Sequence, residues 1–422
     1  MNRTTEPALQ LPDKITVPEP EVFELKNGVK VYCVNAGEQE ILKLEIIFRA
    51  GEWYGDKIAL ATMVNKLMEA GTSAKTAYEL SQAFDYYGAY IETECTADVA
   101  SVKLFTLTRF AKETFSLLME MLTDAVFPEE EMELFATQNI QQLRINRKKV
   151  EYLARVKFNH LLFPSGHPYG RIADEESYRQ HSQNDLKKWY TEKYSPQNCL
   201  AILSGKTDDN TLQYLNDTLG EWKSKVQHQP VELNYPSEFI PQKSFIPVEG
   251  AVQSAIRIGC RIPNKLHPDF ASLTVLNTVL GGYFGSRLMS NLREDKGYTY
   301  GIGSATVSMV HSGYFFVTTQ VAATVKEDAL IQIYKEIQIL REQEIGEDEL
   351  QLVKNYMIGT LQRSMDGPMA ISDRIKSTLI YGLKMKYYEN YLHVIKNISP
   401  EQLIHLAKTY FHTERMVEVV AG

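Results

Sequence analysis

QSAIRIGCRI, residues 253–262, is an alternating strand that leads into an amphipathic helix ending at the glycine pair Gly281 and Gly282. LKLEIIFRAG, residues 42–51, does the same in the first half of the chain, where the following helix ends at Gly71. Alternation with period two marks a strand with one face toward a core, and the switch to period 3.6 marks a helix packed against it. The parallel continues. VASVKLFTLT from Val99 and GYFFVTTQVA from Gly313 are strand-rich, and a long helix follows each. Acidic helix starts come next, PEEEMELF from Pro128 and GEDELQLV from Gly346, where the carboxylates complement the helix dipole. Such self-similarity predicts two copies of one α+β domain, each with an antiparallel-rich sheet packed against helices.

A chain of 422 residues exceeds what one hydrophobic core usually organises. Residues 220–250 carry Pro230, Pro236, Pro241 and Pro247 in a polar stretch, and proline removes backbone donors and favours extended geometry. The expected division is an N-terminal domain over 1–222, a linker with short strand pieces over 223–248, and a homologous C-terminal domain over 249–422. A net charge of -8, with no basic run, argues against nucleic acid as a partner. Cys33, Cys95, Cys199 and Cys260 form no C-x-x-C, so they read as buried thiols of a reducing compartment. No apolar run approaches a membrane span and the opening MNRTTEPALQLPDK lacks the apolar core of a signal peptide, so the expected location is cytoplasmic.

The helix expected over Ile58 to Ala70 places Leu60, Met63, Val64, Leu67 and Met68 on a core-facing stripe and Thr62, Asn65, Lys66 and Glu69 together on the opposite face. A zinc protease would present two histidines one turn apart from such a face, with a glutamate beside them to take a proton from metal-bound water. Here a hydroxyl, an amide and an ammonium stand instead, and Lys66 opposes a cation. The first histidine of the chain is His160, so residues 1–159 hold no imidazole at all. No two histidines lie four apart; His160 with His167 and His405 with His412 are seven apart, and packing or exposure is the expectation for the latter pair. Residues 135–149, on a later helix, contain no Asp or Glu that could serve as a third ligand. No metal site is expected in this chain.

These residues resemble the pitrilysin, insulinase and mitochondrial processing peptidase superfamily, inverzincins with an H-x-x-E-H signature. The resemblance runs over nearly the whole chain. It is carried by the helix ending Gly71-Thr72, FPSGHPYGR from Phe163, WYTEKYSPQNCLAILSG from Trp189 and GGYFGSRLMSNLREDKGYTYG from Gly281. It implies that two such chains form a clamshell around a chamber, this chain being one half, and that in some bacterial members the two chains differ. There one subunit carries zinc and the other an arginine and a tyrosine seven positions apart, a spacing that Arg293 and Tyr300 match. Thr62, Asn65 and Lys66 then replace the zinc subunit's two histidines and glutamate, and Gln142 stands near the third-ligand position.

On this resemblance the chain is a non-catalytic subunit without a cofactor of its own, whose partner is a zinc-bearing homologous subunit and whose substrate is an extended peptide. Arg293 and Tyr300 would act in trans, since a phenol and a guanidinium stabilise the negative charge that grows on a carbonyl oxygen attacked by zinc-bound water. The strand GAYIETEC from Gly88 reads equally as a plain structural strand or, as the family implies, as an edge at Gly88, Ala89, Tyr90 and Ile91 that accepts a peptide by strand addition. Arg287 reads as a structural ion-pair partner, His167 as a residue that packs a turn, and Gly281, Gly282 and Gly285 as a flexible turn at a chamber wall. G-G-Y-F-G-S lacks the Lys-Ser/Thr ending of a phosphate loop. A homodimer of the isolated chain is compatible with all of this. The rival expectation is a non-proteolytic structural or peptide-binding homologue, which needs no Arg/Tyr pair.

Overall fold

The computed structural model describes residues 18–164, 166–224, 235 and 240–422. Its architecture is α+β, with two open sheets that repeat one another in layout. The first sheet has six strands in the order Glu21–Glu24, Lys30–Asn35, Cys199–Gly205, Ile41–Phe48, Ala100–Leu107, Tyr90–Cys95. The second has five, in the order Lys243–Ile246, Val417–Ala421, Gln253–Ile262, Ser312–Ala322, Ile302–Met309. Ile41–Phe48 and Gln253–Ile262 hold equivalent inner positions, each antiparallel to a strand on either side. Tyr90–Cys95 and Ile302–Met309 are equivalent free edges. Both acidic helix starts form as expected, at Glu129–Asn146 and Glu347–Arg363, with three carboxylates in each first turn. Lys243–Ile246, within the proline-rich stretch, is one of its strand pieces and pairs parallel to the last strand of the chain. The remaining prolines of that stretch at 230 and 236 lie outside the described residues.

Each sheet packs on its own helices around fully buried side chains. Phe48, Met63, Met68 and Phe115 fill the first core, and Leu276, Phe315, Ile337 and Phe411 the second. Burying one such side chain contributes roughly 1.5–3 kcal/mol. The other face of each sheet is covered by a helix from the opposite half. Val150–Leu162 lies on Gln253–Ile262 and Val417–Ala421, burying Phe158 and Leu162 against Val417 and Val419. Gly367–Leu379 lies across Lys30–Asn35 and Cys199–Gly205.

This exchange explains why Ile41–Phe48 is buried on both faces, including Lys43 and Glu45, although its sequence alternates. Lys43 Nζ reaches Asp373 Oδ1 at 2.6 Å and Ser372 Oγ at 3.2 Å, and Lys376 Nζ reaches Glu45 Oε1 at 2.8 Å. Buried charges persist only when paired in this way.

A second seam joins the halves at Trp53, Asp98 and the FPSGHPYGR turn. Tyr169 donates to Asp98 Oδ1 at 2.5 Å and accepts from the His311 amide at 3.2 Å, while Asp98 Oδ2 accepts from the Val310 amide at 3.0 Å. The His311 ring stacks on Trp53 at 3.9 Å. His167 does pack the turn: its Nδ1 accepts from the Tyr169 amide at 3.2 Å, among Trp53, Phe163 and Tyr235. Burial, with Arg261 and Arg171 nearby, pushes its pKa down from 6.5 to about 4, so the ring is neutral, as an acceptor must be.

Candidate functional site

The helix of the first half that was expected over Ile58 to Ala70 runs from Leu60 to Leu67 and tightens into a 3₁₀ turn, Met68–Ala70, closed by Gly71 at φ +127. Its predicted apolar stripe is buried. The predicted polar face needs one correction. Asn65 does not share it; the side chain is 1% exposed, accepts from Tyr194 OH at 3.0 Å and donates to the Ser101 carbonyl at 3.3 Å. A buried amide has to find partners, and these come from a helix and a strand distant in sequence.

The remaining groups on that face are engaged. Thr62 donates its amide and its hydroxyl to Glu52 Oε1, at 3.2 and 2.7 Å. Lys66 pairs with Glu69 at 2.8 Å, and Glu69 also accepts from Thr93 at 2.5 Å. The nearby Cys95 thiol is pushed up to about 12 by burial, reinforced by the Glu52 charge, and is inert at neutral pH. Gln142 is exposed and donates along its own helix to Asn146 Oδ1 at 3.1 Å. Among the described residues no group of three or more His, Cys, Asp and Glu side chains is placed to hold a metal ion. His405 lies on the helix Pro400–Tyr410 while His412 lies beyond its end, beside Glu414, so the two do not share a helix face. The residues present at the position of the zinc signature do not fit zinc.

The second half presents the opposite situation. After the helix Phe270–Asn277 the backbone widens into π-helical turns at Thr278–Gly282 and again at Met289–Asp295, a form that often accompanies functional sites. Within the first of them Gly281 is packed, not flexible: a Cβ there would stand 2.7 Å from Ser304 Oγ and 2.8 Å from the Ser304 amide. This corrects the reading of Gly281 as a loose turn residue; close approach to the edge strand is what requires glycine. Arg287 forms the expected structural ion pair, bidentate to Glu349 at 2.8 and 2.7 Å.

Arg293 sits in the last turn of Met289–Asp295 with its guanidinium 4.5 Å from the centroid of the Phe284 ring, itself 62% exposed. No carboxylate pairs with it among the described residues. Tyr300, in the loop before Ile302–Met309, is 95% exposed. Its neighbours are tied down. The Tyr298 amide bonds Leu292 O at 2.9 Å and the Tyr298 hydroxyl bonds Asp328 at 2.7 Å, while Thr299 and Thr319 both donate to Gly301 O. Gly297 at φ +63 makes the turn between helix end and loop. An anchored loop thus holds out a phenol, one segment away from an unpaired guanidinium on an aromatic face. Phe284 was not singled out in the sequence; an aromatic between two glycines, in G-Y-F-G, is the signal that marks it.

Gly88, Ala89, Tyr90 and Ile91 lead into the free edge of the first sheet. Gly88 takes φ +61 and Ala89 is buried, bonded through its amide to Phe84 O at 3.0 Å, while Tyr90 is 61% exposed. Glu92 and Glu94 on the same strand both pair with Lys103 of the next, at 2.9 and 3.1 Å.

Comparison with known proteins agrees with this reading of the fold. Residues 181–357 match the family described as the Peptidase M16 inactive domain. A Helicobacter pylori protein named non-peptidase homolog YmxG is 24% identical over 88% of this chain and 86% of its own length. A Bacillus subtilis protein named uncharacterized zinc protease YmxG is 23% identical over 94% of this chain and 97% of its own. A crystal structure described as a peptidase M16 inactive domain from Pseudomonas fluorescens superposes with a TM-score of 0.87 at 22% identity, covering 96% of this chain and 98% of that one. The relatives' names disagree about proteolysis: one is named a non-peptidase homolog and the other a zinc protease. Residues 181–357 are thus similar to the inactive domain of M16 peptidases, and nearly the whole chain is similar in sequence or in fold to proteins named as non-peptidase, protease or inactive M16 homologues.

Proposed function

We propose that this chain is the non-catalytic subunit of a two-chain zinc metallopeptidase, in which a homologous partner supplies the metal and the general base. In this reading Arg293 and Tyr300 reach a peptide held extended between the two chains, a clamshell half on each side. The guanidinium holds a carbonyl or carboxylate of the substrate, and the phenol donates to the oxygen on which charge develops. The edge at Gly88 to Ile91, with Tyr90 outward, receives part of the peptide as an added strand. The cytoplasm is the proposed compartment; no helix among the described residues is long and apolar enough to cross a membrane.

The observation that carries this reading is the contrast in exposure. Tyr300 is 95% exposed on an anchored loop, and a tyrosine so placed contributes almost nothing to a monomer's stability. The test is to purify the chain, mix it with an H-x-x-E-H homologue from the same genome, and follow cleavage of unstructured peptides. Activity on mixing, lost in Arg293→Ala and Tyr300→Phe with assembly intact, supports the reading. Undiminished activity in both variants removes the role given to the pair, and a stable complex without cleavage favours the structural, peptide-binding alternative.

A further inference from the structure

The second half also holds two further cations, Lys265 and Arg374, that have no counter-charge among the described residues. A cavity of about 420 Å³ opens between the helices Phe270–Asn277, Glu347–Arg363, Gly367–Leu379 and Lys386–Asn397 and the edge strand Ile302–Met309. Lys265 and Arg374 line it together with Asn277, Tyr387, Tyr388 and Tyr391, and no Asp or Glu is among its lining residues. Lys265 Nζ donates to the Ser377 carbonyl at 3.0 Å and hydroxyl at 3.3 Å, and lies 5.1 and 5.5 Å from the centroids of the Tyr381 and Tyr387 rings. Arg374 makes one long bond to Ser364 O at 3.4 Å and lies 5.9 Å from the centroid of the Tyr388 ring. Neither forms an ion pair among the described residues.

Burial and the nearby Arg374 charge push the Lys265 pKa down to about 8, the expected response of a cation lacking an anion. Asn277 adds a third unmet demand. It is 6% exposed and its Nδ2 donates to the Ser304 carbonyl at 3.4 Å, which fixes the amide's orientation and leaves a buried Oδ1 with no donor. The wall of one cavity therefore offers two cationic donors, one acceptor and several aromatic faces, in a volume typical of small-molecule sites.

From this constellation we propose that the cavity binds a small α-carboxylate with an adjacent N–H and an aromatic body, either a free aromatic amino acid or the C-terminal residue of a short peptide. Lys265 and Arg374 take the carboxylate, Asn277 Oδ1 takes the N–H, and the tyrosine rings flank the aromatic group. The proposal does not depend on the role given to Arg293 and Tyr300.

Titration calorimetry of the full-length chain tests it with four probes: N-acetyl-L-phenylalanine, its carboxamide, free L-phenylalanine and inorganic phosphate. The first should bind saturably, with affinity about tenfold or more weaker for the carboxamide and for Arg374→Gln or Lys265→Gln, since each change removes a charge-assisted hydrogen bond. Arg293→Ala should bind as the parent chain does, and Arg374→Lys should retain most of the affinity. Tighter binding of L-phenylalanine than of its N-acetyl form assigns the site to the amino acid, and the reverse to a peptide C-terminus. Equal binding of acid and carboxamide, saturable binding of phosphate alone, or no binding of either phenylalanine ligand up to about 10 mM overturns the proposal. The acid-to-carboxamide comparison uses the unmodified chain, so it decides even where a variant fails to fold.

Discussion

The helix that carries Thr62, Asn65 and Lys66 in the first half and the segment that carries Arg293 and Tyr300 in the second arrange their polar groups in opposite ways. On the first, hydroxyl, amide and ammonium are each matched within the same half: Thr62 by Glu52, Asn65 by Tyr194 and Ser101, Lys66 by Glu69. On the second, a guanidinium rests on an exposed ring and a phenol extends into solvent from a loop whose other side chains are bonded. A polar group satisfied within its own fold is structural, whereas one held out by an ordered scaffold has binding capacity to spare. The difference is that the polar groups of the first helix are closed within its own half, while the guanidinium and phenol of the second segment are left open.

The sharpest way to break this comparison is to exchange the expected effects. In the mixed enzyme, Tyr300→Phe or Arg293→Ala should lower the peptidase rate by about a hundredfold, the scale of losing one oxyanion donor, with the melting temperature of the chain unchanged. Asn65→Ala should do the reverse, costing about 1–3 kcal/mol in denaturant unfolding because Tyr194 OH and the Ser101 carbonyl lose a buried partner, while the rate per folded complex stays the same.

The seam between the halves should respond to pH through His167. His167 titrates near 6.5 when unfolded and near 4 when folded, so the unfolded chain binds the proton first. The contribution of His167 to stability should be full above pH 6.5 and fall as pH drops toward about 4, and the melting temperature of His167→Gln should fall less over that window. Smallest of all, Lys66→Ala should change stability by no more than about 0.5 kcal/mol, because Lys66 is exposed and its pair with Glu69 is an i, i+3 surface contact.

Much of the fold was legible because the repeat is written in strand alternation, helix-ending glycines and acidic helix starts, all of them local signals. Gly71, Glu129 and Glu347 each mark an element end that the structure keeps. What was not legible depends on the exchange of helices between halves. Lys43 and Glu45 read as the solvent face of a strand, and they are buried because Gly367–Leu379, far along the chain, lies over them. Asn65 was misplaced for a related reason: helical spacing groups it with Thr62 and Lys66, but Tyr194 supplies a buried hydroxyl that draws it inward.

In the candidate site the spacing of Arg293 and Tyr300 was visible, whereas the π-helical turns that carry Arg293, the Phe284 ring beneath it and the packing of Gly281 on Ser304 are tertiary features. The cavity bearing Lys265 and Arg374 had no local sequence signature, since its lining comes from four helices and a strand.

The measurement that tests the central claim most directly is peptide hydrolysis by the purified chain, with zinc present, alone and after mixing with the H-x-x-E-H homologue. The account predicts no cleavage alone and cleavage on mixing that disappears with Arg293→Ala. Cleavage by the chain alone, or mixed activity indifferent to Arg293 and Tyr300, would contradict it.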